Sequence, residues 1–197
     1  EDLKALIPPQ HIAYINQLLE AHEIDTTDLW SGKYGTDYTH NMREAGAGDL
    51  LDVAFEHPIS LFVNALGVPP QSVIERCRDR DIAVGALTGA REHALKHAAA
   101  GVDLLVVSGT EAGGHCGEIS TMVVVPDVID AVKDYDDIHV LAAGGIATGR
   151  QMAACMAMGA AGAWCGSVWL TTAEAETTPT VKQKMLAAGP RNTVRSR

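Results

Sequence analysis

The sequence predicts an α/β protein, and within that class the later strand–helix units of a (β/α)8 TIM barrel. Three observations support this prediction. From residue 58 onward, short apolar runs alternate with amphipathic segments, and this alternation requires right-handed crossovers and a parallel sheet. Glycine-containing pairs accompany the last two strands of the pattern, where barrels bind phosphate. The Gly-x-Gly-x-x-Gly pattern of an open dinucleotide-binding sheet does not follow the first strand.

Residues 1–57 form a separate region that lacks this alternation. Apolar residues recur at helical spacing over residues 10–22, which predicts a helix. Residues 30–49 are polar and contain several glycines, so we expect a long irregular connection or lid that is mobile without a ligand. A short helix is predicted over residues 50–55.

Residues 58–197 are predicted to hold βα repeats of an incomplete barrel domain. The strands are apolar or β-branched runs bounded by turn-forming residues, and they are predicted at residues 59–66, 82–87, 102–108, 139–143 and 162–170. The helices carry apolar residues three or four apart, and they are predicted at residues 71–80, 89–100, 126–135, 148–158 and 179–188. A barrel needs eight strands. The chain also begins without Met, so we expect a piece of a longer polypeptide.

Proline and glycine set four of these helix boundaries. Pro70 precedes the first helix of the repeats, and Pro126 is placed at the start of the third, since proline is favoured in the first turn. Gly101 and Gly159 follow the last residues of the second and fourth helices, where glycine commonly ends a helix.

Composition and charge exclude several classes of function. The formal net charge of −10 argues against nucleic acid, whose binding needs basic patches. No apolar run reaches the length of a membrane span, so no membrane partner is expected. The four cysteines form no Cys-x-x-Cys pair, and we expect free thiols in a reducing cytoplasm.

The stretch GTEAGGHCG after the third strand is the first candidate for chemistry. Its four glycines allow close approach of a ligand to the backbone. His115 suits proton transfer near neutral pH, and it is the predicted catalytic residue. Glu111 either helps this chemistry or ties down the loop. A Cys–His nucleophile at Cys116 is the weaker interpretation, because adjacent loop residues rarely face each other.

A second candidate is a phosphate site at the last two strands. Gly144 and Gly145 follow one strand, and Gly166 and Ser167 are placed within the next. Backbone N–H groups at such turns, together with a helix N-terminus, bind anions. Tight turns without a ligand are the alternative interpretation.

Three further polar residues have structural and functional interpretations. Asn64 ends the first strand of the repeats and is either a buried amide or a ligand contact, of which we favour the contact. His93 and His97 have metal-ligand spacing, but Ala94 replaces the Glu of the zinc-protease motif. A helix flanking the barrel explains both histidines better, and no metal site is expected.

The sequence resembles the nitronate monooxygenases, formerly called 2-nitropropane dioxygenases, in three motifs. These motifs are GTEAGGH at 109–115, AAGGI at 142–146 and Gly-Ser at 166–167. The tail at 173–179 is similar to the actinobacterial branch. The resemblance covers residues 58–197 and is looser before them. The family often has Gln where this chain has Ser108.

The resemblance implies a barrel that holds FMN without a covalent bond, with His115 facing the flavin. A nitronate or nitroalkane and O2 would be converted to a carbonyl compound and nitrite. The implied cofactor-binding residues are Ser108, Gly109, Glu111, Gly113, Gly114, Ala143, Gly144, Gly145, Gly166 and Ser167.

Other functions remain open on the same residues. The motifs are also similar to those of FMN-dependent enoyl-acyl-carrier-protein reductases, which use NAD(P)H. A flavin-free barrel enzyme could use the phosphate site for a sugar or nucleotide phosphate, and a non-catalytic binding module is the third class. A homodimer is the expected assembly.

Overall fold

The computed structural model describes residues 6–30, 44–114, 116–135 and 137–193. These residues divide into two compact units, Glu1–Pro58 and Ile59–Arg197. None of the described helices is long and apolar enough to cross a bilayer.

Among its described residues, the first unit contains the helices α1 (Pro9–Ala21) and α2 (Glu44–Phe55). The indole N–H of Trp30 donates a 2.7 Å hydrogen bond to Asn16 Oδ1 and ties the chain after α1 back to that helix. The prediction for α2 was wrong at its start, because the helix begins at residue 44 rather than 50. Glycine weakens a helix by only about 1 kcal/mol relative to Ala, so the two glycines in this segment do not stop it. Residues 31–43, most of the predicted mobile connection, lie outside the described residues.

The residues that the structure describes in the second unit form five strands in one fully parallel sheet. The strands are β1 (Leu61–Asn64), β2 (Ala83–Thr88), β3 (Leu104–Ser108), β4 (His139–Ala143) and β5 (Gly162–Trp164). The helices are α3 (Gln71–Arg78), α4 (Arg91–Ala100), α5 (Thr121–Val132), α6 (Gly149–Ala157) and α7 (Pro179–Ala187). The predicted α/β class with a parallel sheet is confirmed.

The strand order is the order of the sequence, β1-β2-β3-β4-β5. Each helical connection therefore moves the chain to the neighbouring strand in one direction. An open doubly wound sheet reverses direction at its switch point, and this sheet has no reversal. The topology is that of consecutive barrel units, as predicted.

The core of this unit is centred on β3. Leu105, Val106 and Val107 are fully buried, so both faces of this strand are covered. Three buried valines of α5 are likewise inaccessible to solvent: Val124, Val125 and Val128. Strands that are buried on both faces have continuous apolar sequences rather than alternating ones, which explains why β3 was predicted from its sequence.

Two predicted elements of this unit differ from the structure by more than three residues at one end. Helix α5 begins at Thr121 rather than at residue 126, and Pro126 lies inside it. Burial of its valines compensates for the β-branched residues and for the hydrogen bond that proline cannot donate. Strand β5 ends at Trp164 rather than at residue 170. The chain then forms a short 3-10 helix at Trp169–Thr171.

Candidate functional site

The carboxyl ends of β3, β4 and β5 bring most of the predicted site residues to one edge of the sheet. Ser108, the last residue of β3, pairs with Ala143, the last residue of β4. Ala143 pairs in turn with Trp164, which ends β5. The loops that begin at these three residues therefore leave the sheet side by side. This edge is where parallel α/β enzymes bind their ligands.

Glu111 holds the loop after β3 against the start of α5. Its Oε2 accepts hydrogen bonds from the backbone N–H of Thr121 at 3.0 Å and from the Thr121 hydroxyl at 2.8 Å. The hydroxyl of Thr110 donates a third, at 3.1 Å. Ser120, the N-cap residue of α5, makes no side-chain capping bond, so Glu111 caps this helix from the loop. Of the two roles left open for Glu111, the structure shows the one that ties down the loop.

The surroundings of Glu111 keep its carboxylate charged. Burial acts to raise the pKa of Glu111, but the hydrogen bonds from Thr121, from its own backbone and from Thr110 outweigh burial and lower it. The carboxylate also lies at the positive end of α5. A carboxylate with a lowered pKa is a poor proton carrier at neutral pH, in agreement with a structural role.

Thr121 connects three parts of the site, and the sequence analysis missed it. Besides its bonds to Glu111, its Oγ1 lies 3.4 Å from the carbonyl oxygen of Ala143 and 3.5 Å from that of Gly144. The side chain is 7% exposed. It therefore joins the loop after β3, the end of β4 and the start of α5.

A second brace, also missed, lies after β4. The side-chain Nε2 of Gln151 donates a 2.6 Å hydrogen bond to the carbonyl oxygen of Gly145. Its Oε1 accepts from the backbone N–H groups of Ala147 and Thr148, both at 3.0 Å. Thr148 and Gln151 form a capping box at the start of α6, and the Thr-x-x-Gln spacing of such a box was readable in the sequence. We call Glu111, Thr121 and Gln151 the polar frame of the site.

Three glycines of the site are required by packing between loops. A Cβ atom at Gly109 would overlap the backbone of Thr121. One at Gly144, whose φ is +109°, would lie 2.9 Å from both Ala112 N and Thr121 Oγ1. One at Gly117 would lie 2.8 Å from the carbonyl oxygen of Gly89. A side chain at any of these three positions would therefore disturb the packing of the loops.

Another group of glycines is open to its surroundings. A Cβ atom at Gly113, Gly114 or Gly166 would meet no heavy atom of the described residues within 4 Å. Gly145 is intermediate, because its φ is +68° and a Cβ atom would lie 3.1 Å from Glu111 Cβ. Gly166 and the adjacent Ser167 follow β5 instead of lying within it, which corrects the prediction. Open backbone beside a braced turn and the start of α6 fits the phosphate group of a cofactor.

The remaining predicted residues are placed as follows. His115 lies outside the described residues. Cys116, next to it, donates its thiol to the carbonyl oxygen of Thr110 at 3.7 Å. The side-chain amide of Asn64 donates to the carbonyl oxygens of Leu66 and Gly67, each at 3.0 Å. The amide donors of Asn64 are thus used within its own turn.

A cleft of about 720 Å³ lies beside this edge, at the ends of β1, β2 and β3 and along α4. Of the predicted cofactor-binding residues, only Ser108 lines it. The lining residues are Ala65, Gly67, Val68, Leu87, Thr88, Gly89, Ala90, His93, Lys96, His97, Ser108, Cys116, Gly117, Glu118 and Ile119. Within the part of the chain that the structure describes, no group of three His, Cys, Asp or Glu side chains could hold a metal ion.

Comparison with known proteins agrees with this arrangement of motifs. The family model described as nitronate monooxygenase matches residues 13–196. A Mycobacterium tuberculosis protein, Rv1533, whose name assigns it provisionally to the monooxygenases, is 51% identical over all of this chain and 52% of its own length. A (3aS,4S,5R,7aS)-5-hydroxy-7a-methyl-1-oxo-octahydro-1H-indene-4-carboxyl-CoA dehydrogenase of the same organism is 38% identical over 76% of this chain and 42% of its own.

Solved structures show the same likeness. FabK from Thermotoga maritima, as an M276A mutant, has a TM-score of 0.69 and 34% identity, covering 75% of this chain and 48% of that one. Nitroalkane oxidase from Streptomyces ansochromogenes has a TM-score of 0.65 and 33% identity, covering 72% and 43%. The chain spans about half the length of the curated relatives that it matches. On the family match and on the shared fold, this chain belongs to the nitronate monooxygenase family of flavin-dependent oxidoreductases.

Proposed function

We propose that this protein is an FMN-dependent oxidoreductase that oxidises alkyl nitronates or nitroalkanes with O2 to a carbonyl compound and nitrite. One observation supports it above the others. The polar frame holds two glycine loops at neighbouring strand ends, while Gly113, Gly114 and Gly166 remain open to a ligand. Family membership supplies the reaction class.

The proposed cofactor contacts follow from the two groups of glycines. Gly145, Gly166 and Ser167 would hold the phosphate through their backbone, together with the start of α6. Gly113 and Gly114 would approach the remainder of the cofactor, and Ser108 and Ala143 would lie beneath them at the strand ends. Gly109, Glu111 and Gly144 would act indirectly by shaping the loops. When bound, FMN supplies the redox chemistry, and the protein binds and orients the reactants.

We propose that His115 acts on the substrate. Its neighbours are an open glycine, Gly114, and a cysteine whose thiol is anchored to the loop. A neutral nitroalkane must lose a carbon-bound proton before oxidation, and a positioned imidazole can remove it. A nitronate has already lost that proton and needs only orientation and charge stabilisation. Asn64 Oδ1 is the part of that side chain with which a substrate could form a contact.

A second candidate function is supported by sequence identity. This chain is 38% identical to the CoA-thioester dehydrogenase and 33% identical to the nitroalkane oxidase. A flavin enzyme that exchanges electrons between a nicotinamide cofactor and an acyl thioester is therefore the alternative. In either case we infer a cytoplasmic enzyme of small molecules, with a homodimer as the expected assembly.

The test uses the full-length protein purified with its cofactor. Released cofactor is identified by chromatography, and nitrite release from a nitronate under air is compared with NAD(P)H oxidation in the presence of an enoyl thioester. The proposal expects FMN, oxygen uptake and nitrite. A colourless protein would contradict flavin chemistry. NAD(P)H oxidation without nitrite would establish the alternative.

A further inference from the structure

The cleft along α4 has one wall that carries a lysine and two histidines, and the proposed flavin site does not use these side chains. His93, Lys96 and His97 all line it, and residues three and four apart share one face of a helix. Much of the remaining lining is apolar side chains and glycine backbone. Although the whole chain carries a formal charge of −10, this wall brings one ammonium group and two imidazole rings together at a concave surface.

The N-terminus of α4 opens onto the same cleft. Its N-cap residue, Ala90, is extended, with φ −160° and ψ 160°, and makes no side-chain capping bond. Ala90 also lines the cleft. The first N–H groups of a helix lack partners within the helix and attract anions. The helix has 10 residues, which is long enough for a substantial positive end.

His97 provides an independent sign of a ligand. The side chain lines the cleft and is 2% exposed, and its Nδ1 has no hydrogen-bond partner among the described residues. Burial lowers the pKa of His97, a hydrogen bond with the Leu87 backbone opposes this, and the nearby His93 lowers it further. The ring is therefore neutral at pH 7. When one nitrogen donates to a carbonyl, the other is an acceptor that requires a donor.

We propose that this cleft binds a phosphate-bearing ligand. The phosphate would lie against the N-terminus of α4 and Lys96, and a hydroxyl or amide N–H beside the phosphate would donate to His97 Nδ1. Glu118, on the lining of the same cleft, has a partner of its own within the protein. The glycines at 145 and 166 do not line the cleft, so this site is separate from the proposed FMN phosphate site.

Two kinds of molecule carry a phosphate next to a ribose hydroxyl and would fit this chemistry. One is the adenosine 3′,5′-bisphosphate end of coenzyme A, and the other is the 2′-phosphoadenosine end of NADPH. The proposal does not depend on the reaction that the flavin site performs. It places the non-reacting end of a long substrate or second cofactor along α4.

The test measures binding to the flavin-loaded, full-length protein by titration calorimetry, with the flavin absorbance followed in parallel. The probes are 3′,5′-ADP, 2′,5′-ADP and inorganic phosphate. We expect one ADP isomer to bind more tightly than inorganic phosphate without releasing flavin, and the preferred isomer identifies the source. Lys96→Met should weaken binding about tenfold or more, the effect of losing a charged hydrogen bond. Lys133→Met, which removes an equal charge at the opposite end of the sheet, should leave it unchanged.

His97 needs a variant that preserves its structural bond. His97→Gln keeps a side-chain donor within reach of the Leu87 carbonyl but has no acceptor at the Nδ1 position. We expect this variant to retain flavin and melting temperature while losing nucleotide affinity. The proposal is overturned if neither isomer binds, if binding displaces flavin, or if Lys96→Met and Lys133→Met have equal effects. A colourless protein that still binds an ADP isomer would contradict the proposed function and leave this inference intact.

Discussion

The sharpest test of the cofactor site is Gly166→Val. A Cβ atom at Gly166 meets no described heavy atom within 4 Å, and the residue is not among the glycines with positive φ. The ligand-free protein therefore has room for a Cβ atom at this position, and its backbone conformation does not require glycine. Surface substitutions of this kind change the free energy of unfolding by about 0.5 kcal/mol or less.

The effect of Gly166→Val on flavin binding should be far larger than its effect on stability. Valine would fill the space through which phosphate oxygens reach the backbone. A hydrogen bond to a charged group contributes about 1.5–3 kcal/mol, so the loss of one weakens flavin binding about ten- to hundredfold. We expect the variant to purify without flavin and to unfold at the same denaturant midpoint as the wild-type protein stripped of flavin.

Flavin affinity is measured by fluorescence during reconstitution, and stability by urea unfolding of the stripped proteins. Gly189→Val is the matched control, because a Cβ atom there makes only an ordinary 3.6 Å contact with Asn192 Oδ1. It should keep full affinity. Wild-type affinity in Gly166→Val would refute the placement of the phosphate. Gly145→Val is less informative, since the positive φ of Gly145 and its 3.1 Å approach to Glu111 Cβ strain any side chain.

Three further outcomes are expected. Thr121→Val keeps the volume of the side chain but removes the hydroxyl bond to Glu111, and it should lower the free energy of unfolding in urea by about 1–2 kcal/mol; an unchanged midpoint would contradict the role of the polar frame. The pKa of Glu111 is lowered from 4.5 on folding, so its stabilisation is complete above pH 4.5 and is lost as pH falls through the lower folded value. Glu111→Gln should therefore lose stability at pH 7 and show a shallower decline below pH 4.5 than wild type in melts recorded across pH. In the full-length enzyme, His115→Asn should lose about 10²–10⁴-fold in activity on nitroalkanes and far less on nitronates while retaining FMN; equal losses on both would indicate positioning, and no loss would exclude His115.

Strand positions were predictable where burial alone decides them. The run at 104–108 is apolar at nearly every position because both faces of β3 are covered, and β4 was predicted with its observed bounds. The start of α5 was not predictable from local sequence. Three successive valines favour a strand by intrinsic preference, and only their packing in the finished fold makes them helical. The predicted end of β5 was wrong for a similar reason, because the apolar sequence continues past the turn that starts at Gly166.

The glycines of the site show a different limit of sequence reasoning. The motifs presented Gly109, Gly144 and Gly166 as one cofactor-binding set, since glycine is compatible with close approach of any neighbour. The structure shows that these glycines have different neighbours. Thr121, which follows the GTEAGGH motif in the chain, fills the space beside Gly109 and Gly144, whereas Gly166 faces none of the described atoms.

The polar frame orders two loops of the site before a cofactor would bind. Glu111, Thr121 and Gln151 fix the loops after β3 and β4 through hydrogen bonds that are complete without a ligand. The backbone around Gly145 is therefore oriented before any cofactor arrives, and binding does not have to bear the entropy of ordering it. Under the proposed function, the carboxylate of Glu111 would contribute to cofactor affinity through this preorganisation, although it stands within the glycine motif. Substitutions in the polar frame should thus weaken flavin binding in proportion to the loop order that they remove, whereas Gly166→Val weakens it with the loops intact.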